Sequence, residues 1–168
     1  VTVHRRENWG NNLKDICKSI LKLLKMNKNA YFVIPMHKNK IVRNMILELL
    51  SNNKRIILKE PLKYDELIAT MKKSHFIMTD SGGIQEEAPS LGKPVLVLRN
   101  KTEREEAINC GSAKLVGTNQ TKICAESIKL LEDNNYYKKM SNKTNPFGNG
   151  KASNLILSIC EAYIEEDL

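Results

Sequence analysis

The run Thr79-Asp80-Ser81-Gly82-Gly83-Ile84-Gln85-Glu86-Glu87-Ala88-Pro89 holds the residues best suited to chemistry. It follows the apolar residues 76–78 and leads into a short amphipathic stretch that ends at Leu91-Gly92. The pattern predicts a strand, a small-residue turn and a helix that opens at once. Free N–H groups at a helix N-terminus, aided by the macrodipole, attract an anion. Without a Cβ, Gly82 and Gly83 let that anion reach the backbone. Ser81 adds a hydroxyl, and Glu87, one to two turns on, can accept hydrogen bonds from a sugar diol. Phosphate beside ribose points to a nucleotide. The competing reading is a plain turn with a helix cap, although a cap needs neither two glycines nor a nearby carboxylate.

Other polar residues stand at predicted strand ends. His4 lies between Val3 and the pair Arg5-Arg6, and taken alone it is a polar residue closing a strand. Arg5 and Arg6 can clamp phosphate, because a guanidinium offers fixed bidentate geometry. Equally, one of them can pair with Glu7. His37 alone reads as a loop histidine. Arg99 and Arg104 fall at the same rim, to approach a ligand or a facing domain, or else to pair with Glu103 or Glu105. Glu86 reads as solvent-exposed.

Strand and helix patterns alternate to position these groups. Strands are expected at 1–3, 31–34, 55–58, 75–78, 95–98 and 114–116. Helices are expected at 13–24, 41–50, 64–72, 84–91, 103–109, 121–132, 136–140 and 151–163. Residues 95–98, Val-Leu-Val-Leu, are apolar throughout, as a central parallel strand requires. Such alternation predicts an α/β fold with a Rossmann-like, doubly wound parallel sheet, whose ligands sit beyond the carboxyl ends of the strands. His4, His37, Pro61 and Ser81 all follow predicted strands, so they share one rim. Residues 142–150 form a Gly- and Asn-rich loop before the last helix.

Composition narrows the function further. The chain has 168 residues, 41% of them hydrophobic, enough for one domain with a real core. Its formal charge of +8 favours anionic partners. Lysines are scattered and aromatics are only 5%, so the stacking and basic-patch signature of nucleic-acid binding is missing. No apolar run is long enough to span a bilayer, and no signal peptide is read at the start. The missing Met and the start inside a strand suggest a piece of a longer protein. Cys17, Cys110, Cys124 and Cys160 show no C-x-x-C spacing. They read as buried free thiols in a reducing cytoplasm, with neither a metal site nor a disulfide framework.

The glycine turn resembles that of the non-hydrolysing UDP-N-acetylglucosamine 2-epimerases, and the likeness extends along the chain. Val3-His4-Arg5-Arg6-Glu7-Asn8, Pro35-Met36-His37-Lys38-Asn39 and Glu60-Pro61-Leu62-Lys63-Tyr64 are similar to successive family motifs. So are Gly92-Lys93-Pro94 with Thr102-Glu103-Arg104, Leu115-Val116-Gly117-Thr118 and Asn145-Pro146-Phe147-Gly148. Departures are Lys40, Glu105 and Asn149, where many members have Pro, Pro and Asp. The resemblance implies half of a GT-B fold. Residues 1–150 would be the carboxyl-terminal Rossmann-like, UDP-binding domain with its first strand truncated. Residues 151–168 would be a terminal helix that crosses to an amino-terminal domain.

It further implies an enzyme, without cofactor, that interconverts UDP-N-acetylglucosamine and UDP-N-acetylmannosamine by eliminating and re-adding UDP. His4 would be catalytic, and Ser81, Gly82, Gly83, Glu87 and Arg5 would bind substrate. Arg5 and His37 would contribute to a regulatory nucleotide-sugar site. The loop 60–64 would hold uracil through backbone groups. The whole protein would be a cytoplasmic homodimer in polysaccharide biosynthesis, and this chain alone would be inactive. A GT-B glycosyltransferase domain and a non-catalytic sugar nucleotide-binding module are the alternatives.

Overall fold

Strand β4 (Val95–Val97) shows how the sequence divides the core. Val95 and Val97 face one side of the sheet, while Leu96 and Leu98 face the other, and all four are fully buried. Each such side chain contributes on the order of 2 kcal/mol through removal from water. The computed structural model describes residues 1–166.

One face of the sheet is covered by α1 (Asn11–Met26), α2 (Lys40–Leu50), α6 (Gln120–Glu132) and α7 (Asn134–Ser141). Leu13, Ile16, Cys17, Ile20, Leu23 and Leu24 form the buried stripe of α1, at the spacing the sequence predicts. The opposite face carries α3 (Tyr64–Lys73), α4 (Gly82–Ser90) and α5 (Glu105–Asn109) through Met71, Ile84, Ala88 and Ala107. Helices on both sheet faces make the fold doubly wound.

The strands are β1 (Phe32–Pro35) paired with β2 (Ile56–Lys59), and β3 (Ile77–Thr79) paired with β4 and then β5 (Ala113–Leu115). All pairings are parallel, with Phe32 opposite Ile56, Ile77 opposite Val95, and Val95 opposite Ala113. Residues 1–3 join the two groups. The Val1 nitrogen donates to the Val33 carbonyl at 2.8 Å, and Thr2 bridges to Thr79. The Thr2 N–H donates to Met78, and the Asp80 N–H to Thr2. The lateral order is therefore β2, β1, residues 1–3, β3, β4, β5. Strand order reverses between residues 1–3 and β3, and open α/β sheets bind ligands at that switch point.

Several boundaries differ from expectation. Residues 1–3 make a single bridge rather than a regular strand, since so short a segment supplies few rungs. The strand expected at 75–78 begins at Ile77, because His75 turns away to stack on Tyr137 at 4.2 Å and contact the Leu130 carbonyl at 2.9 Å. Helix α4 starts at Gly82 rather than at 84, so both glycines belong to its first turn. Of the four thiols, only Cys17 and Cys124 are buried. Cys110 is half-buried on a loop, and Cys160 is exposed on α8 (Ala152–Glu166), which packs none of its apolar side chains into either core cluster.

Candidate functional site

At the switch point, β3 ends in Thr79 and the chain turns through Asp80 and Ser81 into α4. The Ser81 N–H donates to Thr79 Oγ1 at 2.9 Å, which orients the turn. Ser81 occupies the N-cap position, but its side chain makes no capping hydrogen bond. Its hydroxyl is therefore not consumed by the helix, contrary to the plain-cap reading.

The first-turn N–H groups stand beside two cations. A Cβ placed on Gly82 would lie 3.5 Å from Arg104 Nη2 and 3.6 Å from Arg5 Nη2, whereas one on Gly83 would meet open space. The two guanidinium groups thus flank the N-terminus of α4. Arg5 Nε is buried without a hydrogen-bond partner among the described residues. Arg104 is steadied by Glu86, which it contacts through Nε. Glu86 is therefore an ion-pair partner and not the free surface carboxylate expected.

A second wall comes from the segment after residues 1–3. Asp80 is fully buried and accepts from the His4 N–H at 3.0 Å, the Arg5 N–H at 2.9 Å and Asn8 Nδ2 at 2.9 Å. Asn8 also donates to the Leu98 carbonyl at 3.0 Å. Its ring stacked on His37 with centroids 5.4 Å apart, His4 is half-buried. Burial pushes the His4 pKa below its ordinary value. Asp80 pulls the other way, while His37 and Arg5 add to the lowering. The balance favours the uncharged imidazole.

His4 and His37, with Pro35, Pro61, Leu62 and Ser81, line an open cavity of about 380 Å³. The rim expected from strand ends is thus one place. Glu87 is not among the residues that line it. It sits six residues beyond Ser81 along α4, about 9 Å at the helical rise. Burial, and then the neighbouring Glu86, push its carboxyl pKa upward.

Behind the site lies a network that joins Gln85, Thr102 and Arg104 through contacts the sequence does not suggest, and Arg99 through the Glu103 ion pair that it does. Gln85 is fully buried, donating to the Ser81 carbonyl at 3.1 Å and accepting from the Thr102 hydroxyl at 2.6 Å. The Arg104 N–H donates to that hydroxyl at 3.1 Å. Arg99 is an ion-pair residue, contacting Glu7 at 2.6 Å and Glu103 at 2.7 Å. Glu7 therefore pairs with Arg99 and not with Arg5 or Arg6. Among the described residues, no group of three His, Cys, Asp or Glu is arranged to hold a metal ion, and no helix is long and apolar enough to cross a membrane.

The chain matches the family model described as UDP-N-acetylglucosamine 2-epimerase over residues 1–161. It is 51% identical over 157 residues to the UDP-N-acetylglucosamine 2-epimerase of Neisseria meningitidis serogroup A, covering 94% of this chain and 42% of that protein. The fold superposes on a Neisseria meningitidis UDP-GlcNAc 2-epimerase bound to UDP-GlcNAc with a TM-score of 0.91 and 50% identity, over 96% of this chain and 43% of the other. A Methanocaldococcus jannaschii UDP-GlcNAc 2-epimerase in complex with UDP-GlcNAc and UDP gives 0.79 at 33% identity, covering 96% and 44%. The chain therefore spans less than half the length of these relatives.

Proposed function

The chain belongs to the UDP-N-acetylglucosamine 2-epimerase family, and from that premise we propose that it is the UDP-binding half of an enzyme that inverts carbon 2 of UDP-N-acetylglucosamine to give UDP-N-acetylmannosamine. The observation that carries this reading is the pair of guanidinium groups, Arg5 and Arg104, set against Gly82 at the N-terminus of α4. Glu86 offsets the charge of Arg104, but Arg5 forms no ion pair among the described residues, and its charge adds to a helix terminus that is itself positive. A diphosphate answers that charge.

The chemistry follows from the leaving group. Loss of the carbon 2 proton and departure of UDP with the electron pair of the carbon 1–oxygen bond give a 2-acetamidoglucal. Re-addition of UDP at carbon 1, with a proton returned to the opposite face of carbon 2, completes the inversion. Charge grows on the departing diphosphate, so fixed donors around it lower the barrier. In this proposal Ser81, the Gly82 and Gly83 N–H groups, Arg5 and Arg104 hold the diphosphate, and His4 stands at its sugar end. Glu87 takes the ribose hydroxyls, residues 60–64 meet the uracil, and Arg5 with His37 serves a neighbouring regulatory site. Proton transfer at carbon 2 needs carboxylates of tuned pKa. Asp80 is engaged by backbone donors and Glu87 is assigned to ribose, so those carboxylates belong to the remainder of a full-length enzyme. We place that enzyme in the cytoplasm, as a homodimer supplying activated amino sugar to polysaccharide synthesis.

The test is a calorimetric titration of this chain with UDP, against UMP and against Glu87→Ala. The expected result is UDP binding at least tenfold tighter than UMP, with further weakening in the variant. Equal affinity for UDP and UMP would remove the diphosphate assignment.

A further inference from the structure

Asp80 is the one carboxylate of the site that is wholly buried. Carboxylates removed from water ordinarily sit against a cation or accept several hydrogen bonds. Asp80 accepts from three fixed donors, the N–H groups of His4 and Arg5 and the Asn8 amide, all within 3.1 Å. These tie the segment after residues 1–3 to the turn that opens α4, across the switch point. Oδ1 additionally faces His4 Nδ1 at 3.5 Å. The other charged or titratable groups at this imidazole are His37, stacked on the ring, and Arg5.

We propose that Asp80 is the positioning residue of the site: it fixes the His4–Arg5 backbone against the Ser81 turn and keeps the proton of neutral His4 on Nδ1, which leaves Nε2 as the nitrogen offered to a ligand. A carboxylate facing one ring nitrogen favours the tautomer that carries its proton there. The His4 carbonyl is held as well, accepting from Trp9 Nε1 at 3.3 Å, so the residue is braced on both sides of its Cα. The phosphate-facing turn and the imidazole therefore move as one unit. Arg5 is carried with them, since its N–H is bound by the same carboxylate. This deepens the proposed function and rests on it for the role of His4, but the arrangement itself exists without a ligand.

The test uses the ligand-free chain. Long-range proton–nitrogen correlation spectra of ¹⁵N-labelled protein report the tautomer and titration of His4, His37 and His75, with His37→Asn and His75→Asn assigning the signals. The expected result is His4 in the Nδ1–H form above its titration. Asp80→Asn should move it toward Nε2–H and weaken its proton affinity about tenfold, as loss of an adjacent opposite charge does. Wild-type His4 found in the Nε2–H form would overturn the proposal. So would a folded Asp80→Asn protein with unchanged His4 signals. Should that variant fail to fold, the wild-type tautomer alone decides. Because no nucleotide is present, a failure to bind UDP leaves this result standing, and the reverse also holds.

Discussion

Gly82 and Gly83 are adjacent, yet they answer to different neighbours. Neither has a left-handed backbone, so neither is required by conformation. A Cβ on Gly83 would touch nothing, and alanine is the better helix former by roughly 0.5–1 kcal/mol. Gly83→Ala should therefore keep or raise stability in denaturant unfolding while weakening UDP binding at least tenfold in calorimetry. Stability and affinity moving together would show the glycine serves the fold instead. Glu87 gives a second prediction of the same kind. Its carboxyl holds its proton more tightly in the folded chain than at its ordinary value of 4.5, through burial and then Glu86. The folded state thus binds more protons, and stability falls as pH rises from the ordinary value through the raised one. Glu87→Gln should melt higher than wild type at neutral pH and equally at pH values below the carboxylate range, while its UDP affinity should fall if Glu87 has the proposed ribose role.

The elements were legible because each depends on local pattern. The α1 stripe, the wholly apolar β4 and the strand-to-helix turn at Ser81 need no distant partner to be read. What could not be read depends on residues far apart in sequence. Asp80 meets Asn8, Gln85 meets Thr102, and Arg99 meets Glu7 only once the sheet is assembled. Asp80 stood in full view inside the motif, but nothing local distinguishes a buried acceptor of backbone N–H groups from an ordinary turn aspartate. The Arg99 contacts carry an element-scale consequence. This side chain is 7% exposed and clasps the 3-10 turn Arg6–Asn8, through Glu7, to the end of β4 and the loop holding Glu103. Hydrogen bonds from Arg99, then one from the backbone, hold the Glu103 carboxyl down to about 2. A depressed folded pKa contributes stability above the ordinary 4.5 that is lost as pH falls toward 2. Arg99→Ala should cost about 2 kcal/mol in urea unfolding at neutral pH, the scale of charged hydrogen bonds. The difference from wild type should shrink on acidification.

At the scale of the molecule, the described residues divide into a two-faced core and a helix that takes no part in it. On α8, Leu155, Ile156, Leu157, Ile159, Tyr163 and Ile164 are each at least 60% exposed apart from Leu157 at 57%. Neither hydrophobic cluster includes a residue beyond Phe147. A helix whose apolar residues meet water adds little to global stability, since the favourable term in folding scales with apolar area removed from water. Deleting residues 151–168 should therefore change unfolding free energy by no more than about 0.5 kcal/mol, as changes away from a packed core do. An exposed apolar surface of that kind also binds hydrophobic dyes and promotes association. The deletion should lower both dye fluorescence and the concentration-dependent mass seen in light scattering. UDP affinity should be unchanged, because Arg5, Arg104 and the Ser81 turn are all positioned by elements before residue 110. A truncated chain that loses several kcal/mol, or that loses UDP binding while remaining folded, would place α8 inside the functional unit rather than beside it.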